Sequence, residues 1–200
     1  MQADYALRTH DPGQVQAALA ALAAEITRAT RSTQQLLALG RSDTNAIDMA
    51  GLDLAALLRE VALDLLPQAR ARRIDLGVHA VPPPFPAVAD RQLLREALAN
   101  LVANAIAYTP EGGTINLLAG GDAAGWSVGV EDNGPGLSEE ERGSLGQRFR
   151  RGTRAVAGGS GLGLAIARSI AQRHRGVLRL EARGAGPGLH AALWWPRGDT

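Results

Sequence analysis

Asp132-Asn133-Gly134-Pro135-Gly136 sets a carboxylate directly behind an apolar, strand-like run, Ser127-Val128-Gly129-Val130-Glu131. A carboxylate at the end of a rigid strand can accept a hydrogen bond from an exocyclic amine such as that of adenine. Gly134 and Gly136 carry no Cβ, so the backbone there can turn sharply and approach a flat ring. A second cluster, Gly159-Ser160-Gly161-Leu162-Gly163-Leu164, runs into the helical pattern Leu164-Ala165-Ile166-Ala167-Arg168-Ser169-Ile170. Glycines that feed a helix N-terminus leave backbone N–H groups for phosphate, and the helix dipole favours the negative charge. A third set, Glu96, Asn100, Asn104 and Tyr108, recurs one helical turn apart and shares one face. Asparagine is a modest helix former, so two on one face call for a reason. Their amide oxygens are neutral, hard ligands that suit Mg²⁺ already carrying phosphate oxygens. Each feature alone has a bland reading, as a Gly-rich turn or a solvated asparagine. Together they read as a site for a base, its phosphates and a metal ion.

The elements that must position these residues follow from periodicity. Asp53 to Arg73 reads as a helix with a wide apolar face at Leu54, Leu57, Leu58, Val61, Leu65 and Leu66. Ile74 to Ala80 alternates as a strand, Pro82-Pro83-Pro84 ends it, and Phe85 to Ala89 reads as a short strand before Asp90 caps the next helix. That helix spans Arg91 to Tyr108, with Leu94, Leu98, Leu101, Val102 and Ala105 as its core face. Thr114–Ala119 and Gly125–Glu131 read as a hairpin-like pair of strands. After the second glycine cluster come a helix to about His174 and an antiparallel pair, Val177–Glu181 and His190–Trp195, joined by Gly184-Ala185-Gly186-Pro187-Gly188. Strands mixed with helices gathered on one face predict an α+β two-layer sandwich.

Ahead of this domain, Val15, Leu19, Leu22, Ile26, Ala29, Thr33 and Leu36 step by four and three, a narrow heptad seam. We read it as a helix of a dimeric bundle; the alternative is an amphipathic helix lying on its own domain. Gly40 to Gly51 is a connector, which divides the chain into an N-terminal helical region, residues 1–48, and a second domain, residues 49–200.

Composition removes several function classes. The chain has 200 residues, a net charge of +1 and no cysteine, so there is no disulfide framework, thiol nucleophile or Cys-ligated zinc. All 21 basic residues are arginine; without lysine neither a Walker A loop nor a eukaryotic-type protein kinase site can be built. The spacing of Gly159, Gly161 and Gly163 also departs from the dinucleotide fingerprint. Near-neutral charge without a basic stripe gives no case for nucleic acid. No apolar run spans a bilayer and no signal peptide is present, so no membrane contact is expected of this stretch.

The set Asn100-Leu101-Val102-Ala103-Asn104-Ala105, Asp132-Asn133-Gly134-Pro135-Gly136 and Gly159-Ser160-Gly161-Leu162-Gly163-Leu164 resembles the catalytic ATP-binding domain of bacterial two-component sensor histidine kinases. These share the Bergerat ATP-binding fold with type II topoisomerases and heat-shock chaperones. Arg148-Phe149-Arg150-Arg151 resembles the family's lid motif, and Leu36-Leu37-Ala38-Leu39-Gly40-Arg41 resembles the end of the second dimerisation helix. The resemblance implies ATP and Mg²⁺ as ligands. Asp132 would bind the adenine amine, with Gly134 and Gly136 beside it. Asn104, with Asn100, would hold Mg²⁺, and Tyr108 would line the pocket. Gly159, Ser160, Gly161, Leu162, Gly163 and Leu164 would wrap the phosphates, and Arg150 or Arg151 would reach the terminal phosphate from the lid.

In the ATP-hydrolysing relatives, a glutamate that activates water stands four residues before the magnesium asparagine. Asn100 takes that place here, which favours phosphotransfer over hydrolysis. The family's usual basic residue three positions after that asparagine is Ala107 here, so that phosphate contact is either missing or supplied by a lid arginine. The phosphoacceptor histidine motif is absent: His10 follows Arg8-Thr9, and His79, His174 and His190 read as structural or solvated. The implied function is the catalytic portion of a histidine kinase, in a fragment that begins after the phosphoacceptor helix. It would phosphorylate a histidine for relay to an aspartate of a response regulator, as part of a homodimer and in the cytoplasm. The alternatives are an anti-sigma serine kinase or ATPase of the same superfamily, or a non-catalytic nucleotide-binding module.

Overall fold

The computed structural model describes residues 47–81, 87–138, 163–184 and 186–197. The heptad seam, the proline run and most of the glycine- and arginine-rich stretch between the two glycine clusters lie outside these residues.

The first described element, β1 (Ala50–Gly51), pairs antiparallel with β3 (Val88–Ala89). β3 lies within the short strand read from Phe85 to Ala89, whereas β1, at two residues, has no period to read and falls inside what reads as a connector. Helix α1 (Leu54–Ala71) starts on Asp53, whose side chain accepts from the Ala56 N–H at 3.0 Å. It buries Leu54, Leu57, Leu58, Val61, Leu65 and Ala69. Pro67 lies within the helix but is exposed, as is Leu63 four residues back, so the carbonyl that loses its partner faces water.

The chain leaves α1 through Arg73 at φ 53°, with the Ile74 N–H returning to the Ala69 carbonyl at 2.9 Å. This left-handed exit turns directly into β2 (Asp75–Ala80). Helix α3 (Gly163–Arg173) ends the same way at Arg175, φ 60°, and turns into β6 (Val177–Ala182).

Helix α2 (Arg91–Tyr108) is capped by Asp90, which accepts from the Leu93 N–H at 3.0 Å. Its core face is Leu94, Ala97, Leu98, Leu101, Val102, Ala105 and Ile106. Strands β4 (Thr114–Gly121) and β5 (Gly125–Asp132) follow, and β7 (Leu189–Pro196) closes the chain.

The main sheet has five strands in the order β2-β4-β5-β7-β6. The β2–β4 pair is parallel, made possible by the crossover through α2, and every other pair is antiparallel. Register puts Ile115, Leu117, Val128, Val130, Ala191 and Leu193 on one face, where they are buried with the apolar faces of the helices. Trp126 and Trp195 stack across β5 and β7 with ring centroids 4.2 Å apart. The expected α+β two-layer architecture is what the chain adopts. Its functional consequence is that Asp132 is the last residue of a central strand, on the core-facing side, beside the C-terminal end of α2.

Candidate functional site

One end of α2 meets both glycine clusters. A Cβ built on Gly163 would lie 3.0 Å from Asn104 Nδ2 and 3.2 Å from Oδ1, so the start of α3 rests on the Asn104 amide. One turn later, a Cβ on Gly134 would lie 3.3 Å from the Tyr108 carbonyl oxygen. Leucine or even alanine at either position would crowd the asparagine helix. The lack of a side chain lets the Asn104 amide and the Tyr108 carbonyl keep their present positions.

Asp132 is buried, at 7% exposure. Its Oδ1 accepts from the Gly134 N–H at 2.8 Å, an Asx-type turn that reverses the chain directly after β5. Asn133 points the other way: its Oδ1 accepts from the Thr114 N–H at 2.8 Å and ties the turn to the start of β4. Burial holds the Asp132 carboxyl above its ordinary pKa. The backbone amides of Gly134 and Leu189 and the charge of Arg183 act against that rise, while Glu131 adds to it.

Asn100 donates from Nδ2 to the Glu96 carbonyl at 3.0 Å, which fixes the amide's orientation along the helix. Asn100 and Asn104 are both half-buried, while Tyr108 is 39% exposed at the helix end. Burial raises the Glu96 carboxyl above its ordinary range. The C-terminal carbonyls of α2 are held by Arg72, whose Nη1 donates to Ile106 O and, at 2.9 Å, to Ala107 O.

At the opposite end, His174 is buried at 5% exposure and bridges the two site helices. Its Nε2 accepts from the Asp90 N–H at 3.0 Å, and its Nδ1 lies 2.7 Å from the Ile170 carbonyl, so Nδ1 carries the proton. The sequence could not have assigned Arg72 or His174 these tasks, because both reach partners distant in the chain.

Among the described residues no group of three or more His, Cys, Asp or Glu is arranged to hold a metal ion. A cation here would depend on amide oxygens and on an anion that accompanies it. The site fits such a pair: neutral amides on α2, a glycine helix start against them, and a buried carboxylate at the far side of the same helix end. Of the expected site residues, Asn104 meets Gly163, Tyr108 meets Gly134, and Asp132 meets Gly134, with Gly136 next in the same turn. Leu164 is half-buried in the first turn of α3. Arg150, Arg151, Gly159, Ser160, Gly161 and Leu162 lie outside the described residues.

Residues 89–198 match the family described as "Histidine kinase-, DNA gyrase B-, and HSP90-like ATPase". The chain is 35% identical over 170 residues to the sensor protein QseC of Escherichia coli strain K12, covering 84% of this chain and 37% of that protein. It therefore spans well under half the length of that relative. Among solved structures, the catalytic domain of histidine kinase ThkA superposes with a TM-score of 0.64 at 28% identity, over 74% of this chain and 97% of that one. Full-length ShkA, solved in complex with AMPPNP, superposes with a TM-score of 0.74 at 25% identity, over 93% of this chain and 39% of that one.

Proposed function

The chain belongs to the family of histidine kinase-, DNA gyrase B- and HSP90-like ATPases, and from that premise we propose that it is the ATP-binding catalytic portion of a bacterial sensor histidine kinase. The observation that carries this reading is the convergence of both glycine clusters on one end of α2, at Asn104 and at Tyr108. Adenine enters beside Asp132, whose carboxylate accepts from the exocyclic amine; Gly134 and Gly136 give the ring its approach. The phosphates lie toward the start of α3, where Gly163 opens the helix against Asn104 and the positive end of the helix dipole favours an anion; Gly159, Ser160, Gly161, Leu162 and Leu164 are the further residues we assign to them.

Asn104 and Asn100 are the residues that would hold Mg²⁺. When bound, the ion neutralises phosphate charge and leaves the γ-phosphate open to attack by a nucleophile. Asn100, with its Nδ2 committed to the Glu96 carbonyl, cannot remove a proton from water. The site thus protects ATP from hydrolysis and favours transfer to a presented side chain. Arg150 or Arg151 supplies positive charge at the terminal phosphate.

The acceptor in this reading is a histidine presented by a dimerisation helix, and the phosphoryl group passes on to a response-regulator aspartate. We place this part of the protein in the cytoplasm, where ATP is available; among the described residues no helix is long and apolar enough to cross a membrane.

The test is to mix the chain with a separate histidine-bearing dimerisation hairpin and γ-labelled ATP. Acid-labile label on the hairpin is expected. Acid-stable phosphoserine on a partner, or steady ADP release by the chain alone, would move the assignment to another branch of the family.

A further inference from the structure

The β6–β7 turn, which the sequence marks only as a glycine-rich connector, forms the wall behind Asp132. Leu189 pairs with Asp132 in the sheet register, and its backbone amide favours the ionised form of that carboxylate. Gly188 sits so close that a Cβ would collide with the Asp132 carbonyl oxygen, and its φ of 144° is open only to glycine. The Gly188 carbonyl in turn would lie 2.8 Å from a Cβ on Gly136. The turn therefore touches both ends of the base-binding segment.

Two contacts from one residue hold this turn in place. The Arg183 N–H donates to the Gly188 carbonyl at 3.2 Å, closing the turn. Its side chain crosses to β5, where Nε donates to Glu131 Oε1 at 3.2 Å. Both side chains are about three-quarters buried, at 24% and 26% exposure, so this pair is far less open to water than Arg73–Glu111, Arg91–Glu60, Arg95–Glu60 or Arg95–Asp64. Glu131 is the residue directly before Asp132 and faces the opposite side of the sheet. The pair thus straps the turn to the strand whose end carries the base-binding carboxylate.

The geometry points to Arg183, strapped to Glu131, as a positioning residue for nucleotide recognition: it clamps the β6–β7 turn against Asp132 and so fixes where the base carboxylate sits. This rests on the assignment of Asp132 to the base. The charged groups that face Asp132 are Arg183 from the turn and Glu131 from its own strand; α2 brings the Tyr108 backbone to the neighbouring Gly134, and β7 brings His190 opposite Glu131.

The experiment is a calorimetric titration of the chain with ADP and Mg²⁺ at several pH values, alongside thermal melts. Arg183→Gln is expected to bind ADP roughly threefold to tenfold more weakly, in the range for a largely but not fully buried charge pair. It also loses a cation that favours ionised Asp132, so the acid limb of binding moves to higher pH. Glu131→Gln breaks the same strap and also weakens binding, yet removes an anion, so its acid limb moves to lower pH. Arg179→Gln, which strips another arginine from the same sheet face where it lies 4.1 Å over the Trp194 ring, leaves affinity and pH profile unchanged. Wild-type affinity in Arg183→Gln overturns the proposal, as does weaker binding with the acid limb unmoved, which marks mere loosening of the fold. A wild-type chain that binds no ADP overturns the ATP assignment itself, and so the two failures are distinguishable.

Discussion

Gly163→Ala separates folding from function at a single contact. The φ of Gly163 is not in the left-handed region, and it opens α3, so alanine suits the backbone and should improve helix propensity by up to about 1 kcal/mol. The added methyl, however, would stand 3.0, 3.2 and 3.4 Å from Asn104 Nδ2, Oδ1 and Cγ. Comfortable separations are about 3.5–4.0 Å, so the amide must move by about 0.5 Å. Mg²⁺ holds its ligands at about 2.0–2.1 Å in near-ideal octahedral geometry and tolerates little such displacement. Disturbing a group that orients a metal ligand typically costs about tenfold to a hundredfold in affinity. The variant should therefore melt at or slightly above the wild-type temperature while binding an ATP analogue at least tenfold more weakly in Mg²⁺ (roughly, from the same range). In the presence of a chelator the two proteins should bind the nucleotide alike. Equal affinity in Mg²⁺ would refute the assignment of Asn104 to the metal. So would an equal loss with and without the ion, because the methyl would then act on the phosphate cradle alone.

Asn100→Glu restores a base where the hydrolysing relatives carry one; ADP release measured by a coupled assay should rise and phosphotransfer to a histidine hairpin should fall. Nucleotide affinity should decline on acidification, because ionised Asp132 accepts from the adenine amine more strongly than the protonated acid does, and burial holds its pKa above the ordinary value. For the nucleotide-free fold the sign is opposite. The folded state holds this proton more tightly than the unfolded state, so the stabilisation is full below the unfolded pKa and is lost as pH rises through the folded one. Calorimetry and thermal melts over the same pH series read both slopes. Leu98→Ala removes a side chain with 0% exposure beneath the asparagine face and should cost about 3 kcal/mol in a denaturant titration.

The helices and most strands were legible because their periods are long and clean. The run Arg91 to Tyr108 has the bounds expected of it, and Asp90 caps it as read, whereas Asp53, read as the first residue of its helix, is the cap before it. The residues proposed for the base and the metal stood out in the sequence because glycine, asparagine and aspartate each occur where local propensity would not have put them. What the sequence withheld is pairing across distance. The parallel β2–β4 register depends on a crossover, and β1 with β3 is too short to show alternation. Nothing local to Arg72 in the sequence marks its carbonyl partners on α2. The same holds for His174, read as structural or solvated, whose place in the core depends on Asp90, 84 residues away. The β6–β7 turn shows five loop-forming residues, but nothing local says that it faces Asp132.

The central claim is that a triphosphate purine nucleotide binds between the asparagine-bearing end of α2 and Asp132. Calorimetric titration of the folded chain with a non-hydrolysable ATP analogue and Mg²⁺, repeated on Asp132→Ala, tests it most directly. The account predicts saturable one-to-one binding by the chain and none by the variant. Absence of heat from a well-folded sample, or an unaltered isotherm after the substitution, would contradict it.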